Sequence, residues 1–214
     1  MQPVTVACVW VQGHVPFSAR YVVRLRNMVT QHLDRPHRFV CLTDRTRALP
    51  EIETVGIPWA NTLKGWWAKV ELFRPGRFAG RVLYLDLDTL VVDVLDAIVD
   101  YPAPAAFVPD AGTFQGKEGK AVVKRFNSSV MVWDAGTLDG LHARWTPSVA
   151  QRLWGDQDWA GEQVPDAATL PLEWFPRLSQ CQDGPPAGAK VVLAKVPKNE
   201  VAAQRYPWFA ERWR

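Results

Sequence analysis

The stretch Arg81-Val82-Leu83-Tyr84-Leu85-Asp86-Leu87-Asp88-Thr89-Leu90-Val91-Val92 constrains the fold most. It is an apolar, β-prone run with two carboxylates in its middle, one residue apart. Continuous apolar character over residues 82–85 predicts a strand covered on both faces, as in a parallel sheet. Aspartates are almost never fully buried without a partner, so Asp86 and Asp88 are expected where this strand emerges at its carboxyl end. Open α/β sheets bind their ligands at that edge. In an extended chain the two carboxylates would share one side, about 7 Å apart. Such hard oxygen donors suit Mg²⁺ or Mn²⁺ shared with phosphate oxygens. The plain alternative is an Asp-x-Asp that only ends a strand and caps a turn.

The chain before this stretch alternates β and α. Val4 to Trp10 reads as a strand. Val22, Leu25, Val29 and Leu33 step by three and four, predicting an amphipathic helix over residues 18–33 with Ser18 as N-cap. Residues 38–42 form a second strand and 53–57 a weaker one. Residues 64–73 look helical, ended by Pro75-Gly76. Strand, helix, strand in this length is a βαβ unit, so residues 1–95 read as a nucleotide-binding half and 96–214 as a sugar and acceptor half of one domain.

Beyond Asp96, short strands are expected at 105–108, 129–133 and 190–193, and helices at 138–145 and 148–153. Residues 111–125 read as a Gly-rich basic loop. Gly112 to Lys117 resembles a P-loop only superficially, because the spacing is one residue short and Glu118 stands where Ser or Thr would hold magnesium. The sharper reading of this loop is a lid bringing Lys117, Lys120 or Lys124 to a diphosphate.

A length of 214 residues with 48% hydrophobic content suits one soluble domain. The net charge of +3 favours anionic small molecules and falls short of a nucleic-acid binder. No run of about 18 apolar residues predicts a membrane span, and the opening Met1-Gln2-Pro3-Val4 has no signal-peptide pattern. Cys8, Cys41 and Cys181 have no metal or redox spacing, Cys8 and Cys41 fall in expected strands as small buried hydrophobes, and a cytoplasmic setting is expected.

Residues 83–89 also resemble the haloacid-dehalogenase phosphatase pattern, in which Asp86 would be a nucleophile and Asp88 a general acid. Here the motif follows a complete βαβ unit, and Gly155-Asp156-Gln157-Asp158 matches the later acidic motif only in part. Four segments taken in order point elsewhere. Tyr84 to Val91, Phe126-Asn127-Ser128-Ser129-Val130-Met131-Val132-Trp133, Asp156-Gln157-Asp158-Trp159 and Lys64 to Pro75 together resemble glycogenin-type family 8 glycosyltransferases, the last segment resembling a bacterial and phage branch.

That resemblance implies a single GT-A, Rossmann-like α/β domain with a mixed central sheet. It implies transfer from a nucleoside-diphosphate sugar, uridine diphosphate foremost, with retained anomeric configuration, to an unknown acceptor. Asp86 and Asp88 match the pair that holds Mn²⁺ or Mg²⁺ against the donor diphosphate, with Leu87 between them. Lys69 matches a basic residue touching donor phosphate or sugar, and Asn127 and Ser128 match the segment that bonds the donor sugar. Asp156, Gln157 and Asp158 match the catalytic segment beneath the reacting sugar, with Gln157 facing the anomeric carbon; otherwise they simply cap a helix. Val9, Trp10, Thr43 and Asp44 fall where base and ribose would lie.

The family's C-terminal His, the third metal ligand, is missing: no histidine follows His142. Lys195 stands in the corresponding stretch and is expected to meet the diphosphate. The missing His also motivates a competing reading as a non-catalytic nucleotide-sugar or glycan-binding protein.

Overall fold

The structure, a computed structural model, describes residues 4–11, 17–57, 63, 65–194 and 198–214. Lys195 lies outside the described residues. The first half runs β1 (Val4–Trp10), α1 (Ala19–His32), β2 (His37–Thr43), β3 (Glu53–Gly56), a 3-10 helix (Gly65–Phe73), β4 (Arg81–Leu85) and β5 (Thr89–Val91). The second half runs α2 (Asp96–Val99), β6 (Ala105–Gln115), β7 (Ala121–Asp134), α3 (Asp139–Ala143), α4 (Pro147–Arg152) and α5 (Asp156–Gln163), then β8 (Ala168–Thr169), β9 (Val191–Leu193), α6 (Lys198–Arg205) and α7 (Pro207–Arg212).

Seven strands form one sheet in the order β3-β2-β1-β4-β7-β6-β8. The β1, β2, β3 and β4 pairings are parallel, β7 runs antiparallel to β4 and β6, and β8 is parallel to β6. The sheet is therefore mixed, and β4 sits at the junction of its two parts. Alternate strand residues serve two cores, as the period of two requires. Val6, Cys8, Leu83 and Leu85 pack beneath α1 together with Phe209 and Trp213 of the C-terminal segment. Ala7, Val82 and Tyr84 pack on the other face with the 3-10 helix, α3 and α5. All three cysteines are buried free thiols.

Several expectations change. Ser18 takes the extended N-cap conformation of α1, but its side chain makes no capping bond. The segment expected as a regular helix from residue 64 is a 3-10 helix, opened by Gly65 at φ 59°. Three residues per turn line up positions i and i+3, which puts Trp66 and Lys69 on one side. Residues 111–125 are not one loop: β6 continues to Gln115 and β7 starts at Ala121, forming a hairpin whose outer part pairs Gly112 with Lys124 and Gln115 with Ala121. Lys117 is tied there to the Ala150 carbonyl at 2.8 Å and stacks on Trp154, and Lys120 pairs with Glu118. Neither is a free lid residue. The C-terminal segment holds two helices in addition to the expected strand. No helix among the described residues is long and apolar enough to cross a membrane.

Candidate active site

Strand β4 ends at Leu85, and the next three residues leave the sheet in a turn rather than continuing it. Thr89 closes that turn, its backbone N–H donating to the Asp86 carbonyl at 3.2 Å and its hydroxyl at 2.7 Å. The extended spacing expected for the two carboxylates thus gives way to a tight turn. The chain then enters β5, which pairs with β9 in a separate two-stranded sheet.

The β6–β7 pairing is irregular next to this turn. Phe107 faces Met131 but Val108 faces Asn127, so β7 carries three extra residues, 128–130, at the bulge. Bulges re-aim side chains and often sit by active sites. Here Ser129 is pushed toward the end of β4, where its carbonyl accepts from the Asp86 N–H at 2.8 Å. Asn127 Oδ1 braces the bulge by accepting from the Ser129 N–H at 2.8 Å.

Lys69 is 7% exposed and stands at the centre of a charged network. Its ammonium lies 2.8 Å from Asp86 Oδ1 and 3.8 Å from Asp156 Oδ2. It also donates to the Ser128 carbonyl at 3.3 Å and hydroxyl at 3.1 Å. An ammonium has three donors, and Asp86 with the two Ser128 oxygens matches them. The Tyr84 hydroxyl donates to the same Asp86 oxygen at 2.5 Å. Burial works to lower the Lys69 pKa, but Asp156, Asp86 and Asp88 outweigh it and the amine is held charged above its ordinary value. Burial raises the Asp156 pKa, with Lys69 and the Ser128 hydroxyl pulling the other way. Tyr84 is raised by burial first and by Asp86 second.

Helix α5 begins at Asp156, with Gly155 as its N-cap. Asp158 reaches back, accepting from the Gly155 N–H at 3.0 Å, while its Oδ1 is buried without a hydrogen-bond partner. Burial raises the Asp158 pKa against the Gly155 N–H. The three residues therefore diverge: Asp156 joins Lys69, Asp158 closes the helix start, and Gln157 lines an open cleft.

Two clefts meet at Asp86 and Asp88, which line both. The first has apolar walls from Val9, Val11, Phe17, Trp66 and Leu87, with Lys69 and Tyr84 at its base. The second, about 790 Å³, is polar and includes Asn127, Ser129, Gln157, Asp110, Lys124 and Arg177. Trp66 is pinned by its indole N–H to the Trp154 carbonyl at 2.7 Å, directly before α5. Among the expected base and ribose residues, Val9 lines the first cleft. Trp10, Thr43 and Asp44 do not: the Trp10 indole donates to the Phe17 carbonyl at 2.9 Å, the Thr43 hydroxyl accepts from the Arg45 N–H at 3.0 Å, and Asp44 lies 3.7 Å from the Arg45 guanidinium.

Tyr84, Phe17, Trp66, Arg177 and Arg205 line the clefts without having been singled out from the sequence. The spacing of Trp66 to Lys69 was the available signal, legible only once the segment is known to be 3-10. Asn199 is another. It is fully buried, donates from Nδ2 to the Asp88 carbonyl at 3.2 Å, and has an Oδ1 with no hydrogen-bond partner.

No protein-family model matches the chain, and no curated protein matches it in sequence. Solved structures do match in fold. The galactosyltransferase LgtC, in complex with donor and acceptor sugar analogues, is 15% identical with a TM-score of 0.66, covering 90% of this chain and 87% of that one. The bifunctional glycosyltransferase WbbM is 16% identical at TM-score 0.60, over 89% of this chain and 45% of that one. The Streptococcus pneumoniae glycosyltransferase GlyE is 13% identical at TM-score 0.56, over 82% and 47%. The chain spans about half the length of the latter two. At these identities the likeness establishes the fold, a GT-A, Rossmann-like α/β domain with a mixed sheet.

Proposed function

We propose that this chain transfers a sugar, with retained anomeric configuration, from a nucleoside-diphosphate sugar to an acceptor, with uridine diphosphate as the expected carrier. The observation that carries the reading is the meeting of an apolar, aromatic cleft and a polar cleft at Asp86 and Asp88. Residues 9–88 build the first cleft, suited to a base and ribose, and residues 86–206 build the second, suited to sugar hydroxyls. A diphosphate linking the two moieties would cross the Asp86–Asp88 turn. LgtC, which shares the fold, was solved in complex with donor and acceptor sugar analogues.

The donor set fits a divalent metal. Asp86 and Asp88 offer hard oxygens at the junction, and the buried, unpartnered Asn199 Oδ1 belongs to an amide bonded to Asp88. No group of three or more His, Cys, Asp or Glu suited to a metal occurs among the described residues. Mn²⁺ or Mg²⁺ would therefore be held by Asp86 and Asp88 and completed by donor phosphates and water. When bound, it supplies positive charge to the departing diphosphate.

The chain's own groups divide the remaining work. Lys69, with its donors already matched, orients Asp86 and Asp156 instead of gripping phosphate itself. Gln157 is the neutral polar group beside the reacting sugar. Asn127 and Ser129 border the same cleft and supply hydrogen bonds to the sugar. The phosphatase reading predicts phosphorylation of Asp86 by a phosphomonoester, which the glycosyl-transfer reading does not. The test is a thermal-shift titration of uridine diphosphate sugars with and without Mn²⁺, since ligand binding to the native state raises stability. It is followed by a donor-turnover assay. Metal-dependent stabilisation with turnover is expected; stabilisation without turnover selects the binding-only reading, and indifference to every nucleotide sugar refutes both.

A further inference from the structure

The far wall of the polar cleft comes from the last forty or so residues, and it carries two guanidinium groups from separate elements. Arg177 precedes the 3-10 turn Leu178–Gln180, and Arg205 ends α6. Both are exposed. The cations nearer the sheet are committed: Lys69 to Asp86, and Lys124 to Asp110 at 3.0 Å. Arg177 and Arg205 form no ion pair with a described carboxylate, and the Arg205 guanidinium rests over the Tyr206 ring at 5.2 Å. They face the same space as Gln157 and the Asp86–Asp88 turn.

A neutral sugar needs hydroxyl, amide and aromatic partners, and Asn127, Ser129, Ser179 and Tyr206 already line this cleft. Two uncommitted arginines add what a neutral sugar does not use. Each presents a planar fork matched to a carboxylate or phosphate. With Asp86 and Asp88 engaged at the donor diphosphate and Asp110 neutralised by Lys124, the cleft's remaining charge is positive.

We propose that the acceptor is an anionic carbohydrate whose phosphate or carboxylate is gripped by Arg177 and Arg205 while a hydroxyl faces the donor sugar. This rests on the glycosyl-transfer reading. In the step, the acceptor hydroxyl oxygen bonds to the anomeric carbon and the bond from that carbon to the diphosphate oxygen breaks. The bonding pair leaves with the diphosphate, which takes up the hydroxyl proton.

The experiment is calorimetric titration of the full chain, saturated with uridine diphosphate and Mn²⁺, with glucose 6-phosphate, glucuronate and glucose. The two charged sugars separate phosphate from carboxylate as the recognised group. At least one of them is expected to bind about tenfold or more tighter than glucose, the scale of one charge-assisted hydrogen bond. Arg177→Gln and Arg205→Gln should each erase that preference while leaving uridine diphosphate affinity unchanged. Equal binding of charged and neutral sugars overturns the proposal. So does a loss of nucleotide affinity in the arginine variants, which would assign them to the donor. If the parent binds no uridine diphosphate, the donor reading fails by itself, and glucose 6-phosphate titrated alone still decides whether the arginines hold an anion.

Discussion

Replacing Lys69 by Met removes one cation from between two carboxylates and leaves the cavity filled. Asp156 is buried and loses its partner at 3.8 Å, and Asp86 loses its partner at 2.8 Å. Breaking a buried ion pair by deleting one member costs about 3–5 kcal/mol, because the remaining charge is desolvated without compensation. Asp156 is raised by burial even with Lys69 present, and without it must rise further. A carboxyl whose folded pKa exceeds its unfolded value stabilises fully below the unfolded value and loses that contribution as pH rises through the folded one. The deficit of Lys69→Met should therefore be largest at the alkaline end and shrink as pH falls through the raised Asp156 value. Lys69 in the parent stays charged throughout that range, since its pKa is raised. Urea denaturation in metal-free buffer at pH 5, 6, 7 and 8 reads the effect. At about 2–4 °C per kcal/mol for a chain of this size, the neutral-pH loss is roughly 6–20 °C in Tm. Adding Asp156→Asn should restore much of the stability. A deficit under about 1 kcal/mol at pH 8, or one independent of pH, would refute the network's role; both bounds follow from the same pair energetics.

Three further outcomes are expected. Asp88→Asn should weaken Mn²⁺-dependent uridine diphosphate binding by about tenfold or more, or 1.4 kcal/mol, with the fold retained by circular dichroism; equal affinity would remove Asp88 from the metal site. Gln157→Ala should lower kcat with little change in nucleotide affinity, the mark of an interaction made late on the reaction path, and a pure affinity loss would contradict its place beside the sugar. Glu71 is buried between Arg74 and Arg77, each 2.7 Å away; burial raises its pKa, but the two arginines and His142 outweigh it and the net shift is downward. Its contribution is thus present above the ordinary carboxylate range and lost as pH falls through the depressed value, so Glu71→Gln should cost about 1–3 kcal/mol at pH 7 and less in acid, as equilibrium denaturation would show.

The first half of the fold was legible because its strands are buried on both faces and its helix has one apolar stripe. Val4–Trp10 and Arg81–Leu85 have almost no exposed position, so a continuous apolar run was the right signature. The outer hairpin offered no such signature. Residues 115–125 are largely exposed, Gly116 and Gly119 shape its turn, and its strands pair only with each other. Strand preference there comes from pairing, which a single-sequence pattern does not display. Helix α6 was hidden for a related reason: Lys-Asn-Glu-Val-Ala-Ala-Gln-Arg buries little beyond Asn199 and Ala202. Pro207 at the first turn of α7 was a usable start signal.

The site residues divide along the same line. Asp86, Asp88, Asn127 and Gln157, candidates from local motifs, sit on or beside buried elements and line one cleft. Arg177, Arg205 and Asn199 reach the site only through a long-range pairing, in which β9 returns antiparallel to β5 and sets Leu90 opposite Val192. Because β5 starts one residue after Asp88, that pairing delivers the chain after β9 back to the carboxylate turn. Asn199 then fastens α6 to the Asp88 carbonyl. A histidine ligand would hold this segment through a metal; here a buried amide holds it by a hydrogen bond to the turn itself. The wall bearing Arg205 is thereby anchored by the fold itself, and the polar cleft should keep its shape with no metal bound.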